Sequence, residues 1–242
     1  TNRLPLNSTI GILGGGQLGR MLSVAASRLG LKTHIFEPGK NTPAGQVADS
    51  VTTASFDDHS ALTKFAMSVD VITYEFENIP TEALDVIEAV RPVMPNRRSL
   101  AIAQDRLIEK KFLTSLGLQC APYVNVETAE ELVNAITEID TPSILKTRRF
   151  GYDGKGQTRL KADTSPTTAW EKLGRTPCVL EGFIDFTHEV SVIGARSQSG
   201  EVVCFDPGEN VHRGGILHTT TIPARLSRSQ HMDAILATGK IL

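Results

Sequence analysis

Three consecutive glycines, Gly14-Gly15-Gly16, follow the β-branched and apolar run Thr9 to Leu13 and precede a helical pattern through Leu18, Met21, Leu22 and Ala25. A strand that breaks into glycines and re-forms as a helix is how a parallel α/β sheet begins, which leaves few architectures open. Gly14, Gly16 and Gly19 spell G-x-G-x-x-G, and Glu37 stands at the end of the next apolar run, Lys32 to Phe36. Glycines there let the backbone turn tightly and approach a ligand, and the helix N-terminus favours anionic groups. Doubly wound domains use this turn for dinucleotides, for other ligands or for close packing alone, so a nicotinamide cofactor is one reading among several.

The alternation continues. Val69 to Tyr74 reads as another buried strand before Glu75 to Pro80, Thr81 opens a helix over Ala83 to Val90, and Arg91 to Pro95 is a stiff extended link. Strands alternating with helices imply a doubly wound parallel sheet. Ser99 to Leu116 reads as one long helix ending at Gly117, with a domain boundary near it. Beyond it lie a helix over Ala129 to Ile139 and strands at Ser143 to Thr147, Thr158 to Lys161, Cys178 to Phe183, Glu189 to Ala195 and Glu201 to Phe205. Gly151 to Gly156 and Ser197 to Gly200 supply hairpin turns, so an antiparallel sheet carrying a helix or two is expected. Ser227 to Leu242 has helical spacing and no polar or Pro-marked exit, which suggests a fragment of something longer.

Composition removes several function classes. With 25 Lys plus Arg against 27 Asp plus Glu in 242 residues, there is no overall field to gather nucleic acid or anionic membrane, so any anion site is local. Aromatics are 5%, with a single Trp170, too few for a base-stacking surface. Cys120, Cys178 and Cys204 show neither C-x-x-C spacing nor an even count, which speaks against a disulfide framework or zinc cluster and for a reducing cytoplasm. No run reaches the ~20 apolar residues of a membrane helix, and no secretory leader pattern opens the chain. Small-molecule chemistry is the expectation.

Two segments carry that chemistry. Lys146, Arg148 and Arg149 lead into Gly151-Tyr152-Asp153-Gly154-Lys155-Gly156-Gln157, a strand end feeding a glycine hairpin that can lay N–H groups and Lys charge over phosphates. It is no Walker A loop, and a plain exposed turn is the bland alternative. Glu181-Gly182-Phe183-Ile184 offers a backbone edge for a flat heterocycle, with Glu189 able to bond ribose hydroxyls, or else both carboxylates are solvated strand ends. His212 and Arg213 lie in Glu209 to Gly215, read as a polar loop; the remaining histidines show no ligand spacing.

Read in order, GGGQLGRM (Gly14 to Met21), TYEFENIP (Thr73 to Pro80), Ala103-Gln104-Asp105-Arg106-Leu107, ILKTRRFGYDGKGQ (Ile144 to Gln157), VLEGFIDFTHEVSVIGAR (Val179 to Arg196) and ENVHRGGIL (Glu209 to Leu217) resemble the ATP-grasp family, in its 5-(carboxyamino)imidazole ribonucleotide synthase branch. The resemblance covers nearly the whole chain, and the glycine hairpin with its upstream basic residues is its most specific part. It implies an α/β fold: a Rossmann-like pre-ATP-grasp domain over residues 1–104, an ATP-grasp α+β domain with its small or lid part over 105–190, and an incomplete large part over 191–242. It implies ATP held by Arg106, Lys146, the loop Gly151, Tyr152, Asp153, Gly154, Lys155, Gly156 and Gln157, the edge Glu181, Gly182, Phe183 and Ile184, Glu189 at the ribose, and His212.

Gln17, Leu18 and Glu75 are implied to meet the ribonucleotide substrate, and Tyr152, Asp153 and Lys155 to face the carboxylation chemistry. The implied reaction joins 5-aminoimidazole ribonucleotide and bicarbonate at the cost of ATP, with Mg²⁺, in purine biosynthesis; the acidic metal ligands are expected beyond Leu242. A cytoplasmic homodimer with no nucleic-acid or membrane partner completes the expectation. Two readings compete with it: an NAD(P)-dependent oxidoreductase resting on the first glycine turn, and a non-catalytic nucleotide-binding module.

Overall fold

The computed structural model describes residues 3–152 and 154–242, so the expectations for Asp153 lie outside the described residues. The chain divides into two compact units, Thr1–Gln104 and Asp105–Leu242. In the first, β1 (Thr9–Leu13), β2 (Lys32–Phe36), β3 (Ser50–Thr52) and β4 (Val71–Tyr74) form an all-parallel sheet in the order β3-β2-β1-β4. β1 is central because its residues are apolar on both faces: Ile12 pairs with Ile35 and Thr73, and Leu13 with Phe36 and Tyr74. The helices are α1 (Gln17–Arg28), α2 (His59–Met67), α3 (Thr81–Glu88) and α4 (Arg97–Ala103).

One core lies where α2 and α3 pack on the sheet: Leu13, Phe36, Leu62, Phe65, Ile72, Leu84 and Ile87 are all buried. Burial of such side chains, at ~1.5–3 kcal/mol each, drives this unit's folding. The extended link at Arg91 to Pro95 is drawn into the sheet edge, where Val93 bridges Ile72 in parallel and Met94 N–H donates to Ile72 O at 2.8 Å.

The long helix expected over Ser99 to Leu116 is two helices. α4 stops at Ala103, and α5 (Arg106–Ser115) starts afresh because Asp105 is extended, at φ −128° and ψ 114°, and its carboxylate accepts the N–H groups of Leu107 and Ile108. A side chain that competes for helix N–H groups ends one helix by capping the next.

The second unit continues with β5 (Tyr123–Val126), α6 (Ala129–Ile139), β6 (Ser143–Thr147), β7 (Gln157–Leu160), α7 (Pro166–Lys172) and β8 (Cys178–Gly182), the strands forming an antiparallel sheet in the order β5-β8-β6-β7. Val126, Leu145, Leu160, Cys178 and Leu180 face α6 and α7 and bury against Leu132, Ala135, Ala169 and Trp170. The single strand expected over Glu189 to Ala195 is β9 (Glu189–Ser191) and β10 (Gly194–Arg196), which belong to different sheets; β10 pairs with β11 (Val202–Cys204).

The expected loop at Glu209 to Gly215 is instead β12 (Gly208–Arg213), a tight turn, and β13 (Ile216–Thr221), with β9 beside β12. Gly214 and Gly215 both have positive φ, the twisted two-residue turn that suits a hairpin, and the β-branched residues after them continue as strand. α8 (Arg228–Ile241) follows, opened by a capping box in which Ser227 and Gln230 satisfy each other's backbone N–H groups. Among the described residues no helix is long and apolar enough to cross a membrane.

Candidate functional site

In the first unit the glycine turn is closed by two carboxylates of the chain itself. Glu75, just past β4, accepts the N–H groups of Gly16 at 2.8 Å and Gly19 at 3.0 Å, and so sits on the N-terminus of α1, which has no side-chain cap of its own. Glu37 accepts the N–H groups of Gly15 at 2.8 Å and Gly39 at 2.9 Å. These are the donors a dinucleotide pyrophosphate would need, and they are already satisfied by fixed negative charge. Gly14 has φ +104°, and a Cβ there would stand 2.5 Å from Glu75 Cγ, so the glycine is needed for the carboxylate to fit.

A cavity of about 270 Å³ opens beside the turn, lined by Gly15, Gly16, Glu37, Thr42, Pro43, Glu75 and Phe76. Its walls favour a ligand rich in N–H or O–H donors over a phosphate. Gln17 and Leu18 begin α1 and are exposed, outside that lining.

In the second unit one face of the β5-β8-β6-β7 sheet mixes charged with apolar side chains. The register pairs Lys146 with Val179 and Gln157, and Glu181 with Ile144 and Tyr123; paired residues share a face, so these side chains stand together opposite the α6–α7 core. Lys146 Nζ donates to Glu181 Oε2 at 3.0 Å, and Lys110 Nζ of α5 lies 3.3 Å from the same oxygen. Glu181 is 7% exposed, so its carboxylate belongs to the two lysines. Burial pushes the Glu109 carboxyl above its ordinary range, against the pull of Arg106 and Lys110.

The glycine hairpin joins β6 to β7. Thr147 N–H donates to Gly156 O at 2.8 Å and Lys155 N–H to Tyr152 O at 2.7 Å, while Arg106 Nη2 donates to Gly151 O at 3.2 Å and ties α5 to the loop. Gly156 has φ +67°, and a Cβ there would stand 2.6 Å from Thr147 Oγ1. Gly154 also takes positive φ, and a Cβ on it would be 3.8 Å from Gly215 Cα, so the tip lies beside the β12–β13 turn. Lys155 Nζ donates to Tyr152 Oη at 3.1 Å and sits 4.6 Å from the centroid of its ring, which makes one exposed cationic and phenolic unit. Glu189 on β9 and His212 on β12 meet, Nδ1 to Oε1 at 3.3 Å, with Asn210 donating to the same carboxylate oxygen at 3.4 Å.

The structure thus brings together Arg106 with the hairpin, Lys146 with Glu181, and Glu189 with His212. It changes two roles. Arg148, read as part of the basic strand end, is spent on Asp105, which it grips through Nε at 3.0 Å and Nη2 at 2.6 Å. The fork and the backbone N–H groups outweigh the burial that by itself would raise the Asp105 carboxyl, and hold it below its usual range. The edge Glu181 to Ile184 offers fewer backbone donors than expected, since Gly182 N–H goes to Pro122 O and Phe183 N–H to Pro142 O. What it presents is apolar: Phe183 and Ile184 are 38% and 50% exposed, with Arg159 stacked 4.1 Å from the Phe183 ring centroid.

Lys110 and Asp105 were missed from the sequence, although Asp105 directly before a helix is an N-cap signal and Lys110 falls one helical turn after Arg106. Among the described residues there is no group of three or more His, Cys, Asp or Glu that could hold a metal ion.

Residues 7–104 match the ribonucleotide synthetase preATP-grasp domain and residues 111–242 the ATP-grasp domain. The N5-carboxyaminoimidazole ribonucleotide synthase of Brucella melitensis is 48% identical over 237 residues, covering 97% of this chain and 66% of that protein. A crystal structure of an N5-carboxyaminoimidazole ribonucleotide synthetase in complex with ADP superposes with a TM-score of 0.93 at 40% identity, covering all of this chain and 64% of that one. An Aspergillus clavatus N5-carboxyaminoimidazole synthase in complex with ADP and 5-aminoimidazole ribonucleotide does so with a TM-score of 0.86 at 27% identity, covering 97% and 62%. The chain spans a little under two thirds of the length of these relatives. With a preATP-grasp domain ahead of it and the glycine hairpin, Lys146 and the Glu189–His212 pair within it, the chain belongs to the ATP-grasp family.

Proposed function

We propose that this chain carries the nucleotide-handling part of an N5-carboxyaminoimidazole ribonucleotide synthase, which joins bicarbonate to the amine of 5-aminoimidazole ribonucleotide while ATP becomes ADP and phosphate. The observation that carries the proposal is that Arg106 bonds the glycine hairpin into which the Lys146 strand runs, with Glu189 and His212 paired on the sheet whose β12–β13 turn lies beside the hairpin tip. That set suits a nucleoside triphosphate: point charge from lysine and arginine, a glycine hairpin whose backbone can approach phosphate closely, and a carboxylate for ribose hydroxyls.

Bicarbonate is a poor electrophile, so phosphoryl transfer must first convert it to carboxyphosphate; the amine of the second substrate then attacks the carboxyl carbon and phosphate leaves. Lys146 and Arg106 would neutralise charge at the transferred group, and Tyr152 with Lys155 would cover the reacting end from the hairpin, excluding water from a short-lived intermediate. Asp153, outside the described residues, is assigned to the amine of the aminoimidazole. Mg²⁺, when bound, supplies further charge neutralisation at the phosphates. In the first unit the donor-hungry cavity at Glu75 and Glu37 suits the amine and hydroxyl groups of the aminoimidazole ribonucleotide rather than its phosphate, and Gln17 and Leu18, outside that lining, are assigned to the same substrate.

The reading includes a cytoplasmic homodimer; the three cysteines stand as free thiols. It replaces the oxidoreductase alternative, because the glycine turn's donors are taken by Glu75 and Glu37. The test is direct: calorimetry should show ATP binding that Lys146→Met weakens by about tenfold or more, the worth of one charge-assisted bond. Equal affinities, or saturable micromolar NADH binding, would defeat the proposal.

A further inference from the structure

Lys146 faces a difficulty that the nucleotide reading does not remove. Its ammonium already has a strong partner, Glu181 Oε2 at 3.0 Å, and that carboxylate is nearly closed off from solvent, with a side-chain exposure of 9%. If Lys146 turns to a phosphate, Glu181 is left as a buried charge, and breaking a buried pair from one side is costly. A nucleotide would have to supply that cost from its own binding energy.

The second lysine answers this. Lys110 lies on α5, one turn after Arg106, with its Nζ 3.3 Å from the same Glu181 oxygen and its side chain only 14% exposed. It also sits 5.5 Å from the ring centroid of Tyr123, the residue paired with Glu181 across β5 and β8, so aromatic and sheet neighbours fix its position. Two ammonium groups share one carboxylate oxygen, one more positive charge than neutrality at Glu181 requires. α5 itself is fastened at its N-terminus by the Asp105–Arg148 fork, so Lys110 is presented from an anchored helix.

We infer that Lys110 is a positioning residue that keeps Glu181 paired while Lys146 turns to the phosphates of the nucleotide. The inference rests on the nucleotide reading above and adds to it a role for a residue that need not touch the nucleotide. Lys110 holds the carboxylate in both states; Lys146 holds it only when the site is empty. Nucleotide binding then exchanges one of two ion pairs and strands no buried charge.

The test is a double-mutant cycle read as ADP affinity by calorimetry, with a melting curve for each variant. Wild type and Lys146→Met come first: if they bind ADP equally, the nucleotide reading fails and the inference with it. Given that difference, Lys110→Met is expected to weaken ADP binding by about fivefold or more, because Lys146 becomes the only partner of Glu181. Adding Glu181→Gln to Lys110→Met removes the buried charge and should return affinity to within about twofold of Glu181→Gln alone. Lys110→Arg, which keeps the charge, should stay within about threefold of wild type. Affinity unchanged in Lys110→Met, or a double variant as weak as Lys110→Met, overturns the inference; the latter result would mean that Lys110 meets the phosphates itself. Should Lys110→Met not fold, Lys110→Gln takes its place in the same cycle with the same criteria.

Discussion

Replacing Asp105 should destabilise the second unit through two separable effects. The carboxylate caps α5, accepting N–H from Leu107 at 2.9 Å and Ile108 at 3.3 Å, and it grips the Arg148 guanidinium, with side-chain exposures of 12% for Asp105 and 20% for Arg148. Losing an N-cap costs about 1 kcal/mol. Breaking a fully buried pair from one side costs ~3–5 kcal/mol, and the residual solvent access here lowers that to about 2 kcal/mol. Asp105→Ala should therefore lose about 3 kcal/mol, and Asp105→Asn, which keeps an oxygen for the cap, about 2 kcal/mol. With a urea slope near 2 kcal/mol/M, the midpoint of Asp105→Ala should fall by about 1.5 M.

The assay is built in, because Trp170 is the single tryptophan and is 6% exposed in the core of the same unit, so its fluorescence follows that unit alone. Asp105→Ala combined with Arg148→Met should show a coupling energy above about 1 kcal/mol. The Asp105 carboxyl is held below its ordinary value in the folded state, so the stabilisation is complete above the unfolded value and is lost as pH falls from there through the folded value. The deficit of Asp105→Asn relative to wild type should shrink accordingly in acid. A midpoint change under about 0.3 M, or additivity with Arg148→Met, would refute the account.

Burial lowers the pKa of His34, which sits between Ser68 Oγ at 2.9 Å and Thr52 Oγ1 at 2.8 Å. The unfolded chain therefore takes up a proton first, so stability should fall as pH drops below the ordinary histidine value of 6.5 and level off below the folded value; the melting temperature of His34→Gln should fall less over that range. Burial also pushes the Cys178 thiol up to about 11, so iodoacetamide at pH 8 should label Cys120 and Cys204 and spare Cys178; mass spectrometry of the native protein checks this, and rapid labelling at Cys178 would contradict it. Gly156→Ala places a Cβ 2.6 Å from Thr147 Oγ1 at positive φ, and should cost about 2 kcal/mol in urea unfolding while Gly117→Ala, in open space at positive φ, costs about half that.

Much of this was legible from short-range pattern. β1, β2, β6 and α6 fall where the runs Thr9 to Leu13, Lys32 to Phe36, Ser143 to Thr147 and Ala129 to Ile139 placed them, because apolar periodicity and turn residues act within a few residues. The break between α4 and α5 has a local signal, Asp105 as an N-cap, which the helical pattern running from Ser99 to Leu116 masks; what lies beyond any local window is Arg148, 43 residues on, closing over that carboxylate. The polar, glycine-rich stretch Glu209 to Gly215 reads as a loop, whereas its two adjacent positive-φ residues, Gly214 and Gly215, make the tight hairpin turn between β12 and β13. In the site, Lys146, Arg106 and the glycine hairpin could be named from residue chemistry. The ion-pair network behind them, Lys110 with Glu181 and Asp105 with Arg148, depends on strand register and helix docking that no local window contains.

The carboxylate of Glu75 on the first turn of α1 also bears on what a glycine fingerprint means. Such a pattern specifies a presentation of N–H groups; it leaves open who receives them. Here the receiver is tethered to the same polypeptide, and a tethered group acts at an effective concentration of about millimolar or above, which any free anion must outcompete. The turn has become an internal clasp joining the end of β4 to the start of α1. Removing its charge, as in Glu75→Gln, would loosen that clasp and create an opportunistic sulfate or phosphate site where the intact chain keeps none.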